Sequence, residues 1–250
     1  MRKFSVSKRF ENNVSISPAS PKGYAEASER ATTVCRMFGV SSDRLNEHRV
    51  VHKCDIDVED GDIVYITGPS GAGKSVLLRE MQKGVPAEER ISIDEIRLPA
   101  DRAAVDCIGE EFRIENGEFR IPNSKFIIPN KMTTIEALQI LSYAGLSDVF
   151  CILTAPANLS EGQQYRFRLA CALAAGKKVV FADEFCSSLD RITAAVIAYN
   201  VRRFARRNKV TFFLASSHED ILADLQPDVL VVKRFSGPAE VTYKKLRIKN

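Results

Sequence analysis

The chain has 250 residues, 45% of them hydrophobic, and its 36 basic side chains stand against 32 acidic ones for a net charge of +4. That length can bury the core of one substantial domain with room for a smaller lobe, and so small a positive excess does not by itself argue for nucleic acid. No run approaches the ~18 to 20 apolar residues that span a bilayer, and Met1-Arg-Lys-Phe4 has no apolar signal core behind it, so a soluble, cytoplasmic protein without membrane insertion is expected.

Residues 1–30, rich in Ser, Pro, Asn and charge, read as an N-terminal extension with one candidate strand from Phe4 to Phe10. The core follows over 31–250. Thr32 to Phe38, Val50 to Val58 and Ile63 to Thr67 have strand character, the last of these apolar enough to be buried. Directly after it comes Gly68-Pro69-Ser70-Gly71-Ala72-Gly73-Lys74-Ser75-Val76, and Lys74 to Met81 has helical character. This is the strand, loop and helix context of a phosphate-binding P-loop. Its glycines let successive backbone N–H groups turn toward an anion, and the helix N-terminus adds its positive dipole end. Lys74 would reach the β- and γ-phosphates of a nucleotide such as ATP, and the Ser75 hydroxyl would ligate Mg²⁺.

Ile91 to Ile96 reads as a further strand. Glu111 to Pro122 then forms a hairpin candidate around the Asn116-Gly117 turn, pairing Ile114 with Phe119 and Phe112 with Ile121 on one face. Arg113 meets Arg120 and Glu115 meets Glu118 on the other, a charged face that is either solvated or turned to a partner. Thr133-Thr-Ile-Glu136 can cap a helix running to Ala144, and Ser160 with Gln163 can cap another that ends near Gly176; together they form a helical lobe over about 125–176.

Val179 to Ala182 reads as a central strand ending in Asp183 and Glu184, which puts both acids at the carboxyl edge of the sheet beside the P-loop. There Asp183 can hold Mg²⁺ through its water shell while Glu184 polarises the water that attacks the γ-phosphate. Strands at 179–182, 211–215 and 229–232 alternate with helices at about 192–207 and 219–225, which argues a mostly parallel sheet in an α/β P-loop fold. The basic sets Arg202, Arg203, Arg206, Arg207 and Lys244 to Lys249 could contact phosphates of a nucleic acid, although without interleaved aromatics a solvated face is favoured. The six cysteines, at 35, 54, 107, 151, 171 and 186, lack Cys-x-x-Cys pairing and read as reduced structural thiols.

Leu159-Ser160-Glu161-Gly162-Gln163 resembles the signature of ABC-type ATPases, with Glu161 where many members carry glycine. Gly162 precedes Asp183 by 21 residues, Ser187-Ser-Leu-Asp190 is similar to the family's D-loop, and His218, after the apolar run Thr211 to Ala215, resembles its switch histidine. The resemblance covers roughly 31–235. It implies an ABC-type core with N-terminal antiparallel strands, in which the signature and D-loop of one subunit (Ser160, Glu161, Gly162, Gln163, Asp190) complete the ATP site of the other. With one P-loop and one signature the chain is a half-site, and an ATP-dependent homodimer is the simplest completion. Phe38 stands where the family's aromatic stacks on adenine, or else is a core phenylalanine.

Transporter-type members carry a glutamine that touches Mg²⁺ and senses the membrane partner, yet none lies between Gln82 and Gln139. Asp106, Glu110, Asn123 and Asn130 are all open as substitutes. That departure favours a stand-alone ABC ATPase, similar to those found alone or attached to acetyltransferase-like domains, driving a conformational change in an unknown protein partner. An ATP-gated scaffold with little turnover, or the nucleotide-binding subunit of a transporter with a separate permease, are the alternatives.

Overall fold

The computed structural model describes residues 1–10, 14–15, 25–26, 29–39, 50–109, 132–235 and 237–244. The hairpin candidate over 111–122, the positions Glu110, Asn123 and Asn130, and the basic run beyond Lys244 lie outside them. Strand β1 (Arg2–Phe10) runs antiparallel to β2 (Val50–Val58), with Arg2 opposite Val58 and Phe10 opposite Val50. Alternation explains the pair: Phe4, Val6, Cys54, Ile56 and Val58 turn one face inward, while Lys3, Ser5, Lys53 and Asp55 turn outward or partly so. The first ten residues of the expected extension therefore belong to the packed fold. Val14–Ser15 and Ala25–Glu26 form a short parallel bridge.

The segment expected as a strand over Thr32 to Phe38 is instead helix α1 (Glu29–Met37). Its Thr and Val residues favour strands by their branching, but Thr33 Oγ1 donates to the Glu29 carbonyl at 2.8 Å, and Glu29 and Arg36 suit the two dipole ends. Phe38 just beyond it is 78% exposed, so it is no core residue.

Strand β3 (Ile63–Thr67) leads through the P-loop into α2 (Lys74–Lys83). Strand β4 (Arg90–Ser92) is shorter than the expected run to Ile96, because a 3₁₀ turn over Ile93–Glu95 follows it. The spacing explains the turn: Ile93 and Ile96 are buried three apart with exposed Asp94 and Glu95 between them, a helical rather than alternating pattern. After α3 (Ala104–Cys107) the helical lobe comprises α4 (Thr134–Tyr143), α5 (Val149–Leu153) and α6 (Glu161–Ala174). Both expected caps form. The Glu136 N–H donates to Thr133 Oγ1 at 3.3 Å and the Thr133 N–H to Glu136 Oε2 at 2.8 Å, and the Ser160 N–H donates to Gln163 Oε1 at 3.0 Å.

Strand β5 (Val179–Ala182), α7 (Arg191–Asn208), β6 (Thr211–Ala215), α8 (Leu222–Leu225), β7 (Val229–Val232) and β8 (Glu240–Tyr243) complete the described order. The main sheet runs β8-β7-β3-β6-β5-β4, all parallel except the edge strand β8. Strands β3, β5 and β6 are buried at every position, as a parallel sheet covered on both faces requires. On one face Val64, Ile66, Phe181 and Phe213 meet Phe4, Ile56, Leu77 and Met81. On the other Tyr65, Val180, Phe212 and Leu214 meet Phe167, Leu169, Ile197 and Val201. Among the described residues no helix is long and apolar enough to cross a membrane.

Candidate nucleotide site

The strand order decides which loops meet. Strand β6 lies between β3 and β5, so the P-loop, the Asp183–Glu184 turn and the Ser216–His218 segment all leave the carboxyl edge of three adjacent parallel strands.

Within the P-loop, Gly68, Gly71 and Gly73 have φ of 139°, 78° and 93°, a region closed to most side chains. At two of the three, space forbids a side chain as well: a Cβ on Gly68 would stand 2.0 Å from the Lys233 carbonyl oxygen, and one on Gly73 would stand 2.0 Å from Cε1 of His52. His52, buried on β2, thus packs its ring beneath the turn that opens α2. Lys74 is buried, and its Nζ donates to the carbonyls of Gly68 at 3.0 Å and Pro69 at 3.1 Å, folded across its own loop. Pro69, Ser70 and Gly71 are exposed, Ala72 is buried and Val76 is half-buried on α2.

Ser75 and Asp183 come together across the sheet edge, with Ser75 Oγ donating to Asp183 Oδ1 at 3.0 Å. Two hydroxyl and carboxylate oxygens in contact are the hard donor class that Mg²⁺ takes, so these residues fit that ion. The next residue, Glu184, is exposed and has φ of 45°, and Cys186 has φ of 60°. Ser187 Oγ donates to Glu184 Oε2 at 2.9 Å, which fixes the carboxylate that the sequence pattern marks as the base. The Phe185 N–H donates to the Ala215 carbonyl at 2.8 Å and ties this turn to β6. His218 is exposed at the end of the same strand; its N–H donates to Ser216 Oγ at 3.3 Å and its carbonyl accepts the Tyr65 hydroxyl.

Ser160 and Glu161 are exposed at the head of α6, with Gly162 and Gln163 half-buried. Among the described residues no hydrogen bond joins 160–163 to the P-loop. Gly162 instead packs against the segment before Asp190, where an added Cβ would stand 3.1 Å from Leu189 Cδ2. Asp190 caps α7 by accepting the Thr193 N–H at 3.0 Å; the Thr193 side chain's hydrogen bond, and then this backbone one, hold its carboxyl below the usual range.

Several participants were not legible beforehand. Asp94, on the 3₁₀ turn after β4, accepts the Asp183 N–H on its Oδ2 at 3.2 Å. Although the residue as a whole is exposed, desolvation of its carboxyl against the sheet edge raises it above the ordinary range, and the neighbouring Asp183 charge adds to that. Register is the signal that could have found it, because β4 and β5 pair Ser92 with Phe181 and so bring Asp94 level with Asp183. Asp106, by contrast, is an exposed residue of α3. A pocket of about 430 Å³ beside Gly68 and Pro69 is lined also by Ser217, Glu219, Arg234 and Phe235. The arginines 203, 206 and 207 lie exposed along α7, as a solvated face requires.

Comparisons with known proteins bear on the family and the fold. The family described as ABC transporter matches residues 51–187. The methionine import ATP-binding protein MetN of Mannheimia succiniciproducens is 28% identical over 215 residues, covering 80% of this chain and 61% of that protein. An uncharacterized ABC transporter ATP-binding protein, y4fO of Sinorhizobium fredii, is 31% identical over 211 residues, covering 78% of this chain and 61% of that one. The chain thus spans about 61% of the length of both relatives. The phosphonates import ATP-binding protein PhnC of Escherichia coli is 28% identical over 194 residues, with 67% and 73% covered. Among solved structures, a dimeric form of MJ0796, a bacterial ABC transporter cassette, superposes with a TM-score of 0.59 at 18% identity over 80% of this chain and 94% of that one. At that identity the likeness speaks for the fold alone.

Proposed function

This chain belongs to the ABC transporter family and contains its ATPase domain, and on that premise we propose that it is an Mg²⁺-dependent ATPase whose two copies close head-to-tail over two ATP molecules to drive a conformational change in a partner. The observation that carries the reading is the junction of Ser75 Oγ with Asp183 Oδ1 at 3.0 Å, with Glu184 next in the chain. It brings the P-loop and the carboxylate turn into one site.

The N–H groups of the P-loop and the start of α2 receive the phosphates, aided by the helix dipole. Lys74 Nζ leaves the Gly68 and Pro69 carbonyls for the β- and γ-phosphate oxygens, a move within reach because those carbonyls belong to the same loop. Ser75, directly, and Asp183, through water, would hold Mg²⁺, which when bound would offset the charge that gathers on the phosphate oxygens. Glu184, oriented by Ser187, accepts a hydrogen bond from the attacking water and draws its proton. His218 contacts the γ-phosphate, and Phe38, being exposed, is free to stack on adenine. The partner subunit's Ser160 and Gly162 close the site from the other side, using N–H groups at the head of α6.

A second reading has support of its own, because the methionine and phosphonates relatives are import ATP-binding proteins: in it, the partner acted on is a membrane permease. Exposed Val149, Phe150 and Leu153 on α5 give such a partner an apolar contact.

Turnover of ATP measured with Mg²⁺ and with a chelator tests the proposal. Hydrolysis should require the metal, and Glu184→Gln should lower kcat by about 10²-fold or more while changing ATP affinity by less than about threefold. Unchanged turnover in Glu184→Gln would remove it as the base, and ATP-driven association without turnover in the wild type would favour a scaffold.

A further inference from the structure

The turn that carries Glu184 has two non-glycine residues in the left-handed region, Glu184 at φ 45° and Cys186 at φ 60°. Side chains disfavour that region, so such a turn persists only when surrounding contacts over-determine it. Three anchors from three different elements do so. The edge turn after β4 supplies Asp94 Oδ2 to the Asp183 N–H at 3.2 Å, strand β6 supplies the Ala215 carbonyl to the Phe185 N–H at 2.8 Å, and α6 supplies the Tyr165 hydroxyl to the Cys186 N–H at 3.1 Å.

The third anchor is the informative one, because α6 begins at Ser160. Tyr165 is buried and stands five residues along the helix, about 7.5 Å of axial rise from the signature end. One turn later Arg168 Nε donates to the Ile96 carbonyl at 3.2 Å, on the same segment that bears Asp94. One turn earlier Gly162 packs on Leu189, just past the hydrolytic turn. Successive turns of a single helix therefore touch both chain segments that flank Asp183 and Glu184.

We propose that α6 holds the hydrolytic turn of its own chain, with Tyr165 and Asp94 as positioning residues, so that nucleotide of the partner subunit pressing on Ser160–Gln163 is felt at this chain's Glu184. The proposal rests on the head-to-tail reading given above. It makes the two ATP sites interdependent through a rigid element that belongs to both. It also gives Asp94 a role in the glutamine-free interval.

Amide hydrogen exchange over 183–188, read beside steady-state kinetics, tests it. In Tyr165→Phe, which removes only the hydroxyl, exchange over 183–188 should rise about tenfold while the P-loop is unchanged. kcat should fall about tenfold or more with KM for ATP within about threefold. Asp94→Ala should act likewise, and Asp94→Asn, which keeps an acceptor oxygen, should recover most of the turnover. ATP added to Glu184→Gln should slow exchange over 183–188, and that slowing should be lost when Tyr165→Phe is added. Unchanged exchange in Tyr165→Phe would overturn the proposal, as would faster exchange at an unaltered kcat, or ATP-induced slowing that survives without the hydroxyl. Should the wild type neither bind nor hydrolyse ATP, the ATPase reading fails by itself, and exchange in the nucleotide-free protein still decides whether α6 holds the turn.

Discussion

Gly73 shows how closely single residues are specified at the P-loop. Its φ of 93° is strained for any side chain, and the His52 ring occupies the place a Cβ would take. Gly73→Ala should therefore cost about 1–3 kcal/mol in local strain and weaken ATP binding by about tenfold or more, measured with a fluorescent nucleotide. Unchanged affinity would mean that His52 yields freely. The P-loop glycines, Lys74, Ser75, Asp183 and Glu184 could be named from sequence because each has a chemical task tied to its residue type. Tyr165 and Asp94 could not, and Ser187 was marked only as the start of the D-loop-like run, since a hydroxyl or carboxylate that orients another group is found only once the chain is folded around it.

Elements with strong local signals formed where their patterns placed them. Thr133 with Glu136 and Ser160 with Gln163 close capping boxes, and the apolar runs at 63–67, 179–182, 211–215 and 229–232 are the four strands expected at those bounds. Elements with weaker signals diverged for physical reasons. α1 took a helix where β-branched residues suggested a strand, and β4 stopped at Ser92 because Ile93 and Ile96 bury with helical spacing. Strand β1 carries more weight than an extension would. Phe4 is buried and meets the Phe213 ring edge-on at 5.0 Å between centroids, while Phe213 stacks on Phe181 at 4.9 Å. Phe4→Ala should lower unfolding free energy by about 3 kcal/mol in a urea titration; a loss below about 1 kcal/mol would mean that β1 adds little to the core.

At the scale of the whole molecule, parallel strands in the order β7-β3-β6-β5-β4 gather the P-loop, the carboxylate turn, His218 and Asp94 at one edge, while Ser160 stands at the head of a helix with no hydrogen bond to the P-loop among the described residues. On the head-to-tail reading proposed above, a single copy holds two halves of different sites. The path by which α6 reaches back to Glu184, through the Tyr165 hydroxyl on the Cys186 N–H, was not legible in sequence order. The most direct measurement of the central claim is analytical sedimentation of Glu184→Gln with and without Mg²⁺ and ATP. The 27.8 kDa chain should associate into a species of about twice that mass only when ATP and Mg²⁺ are both present, and should lose that species in the Lys74→Ala background. A protein that binds ATP yet sediments as the same species with and without it would contradict the shared site.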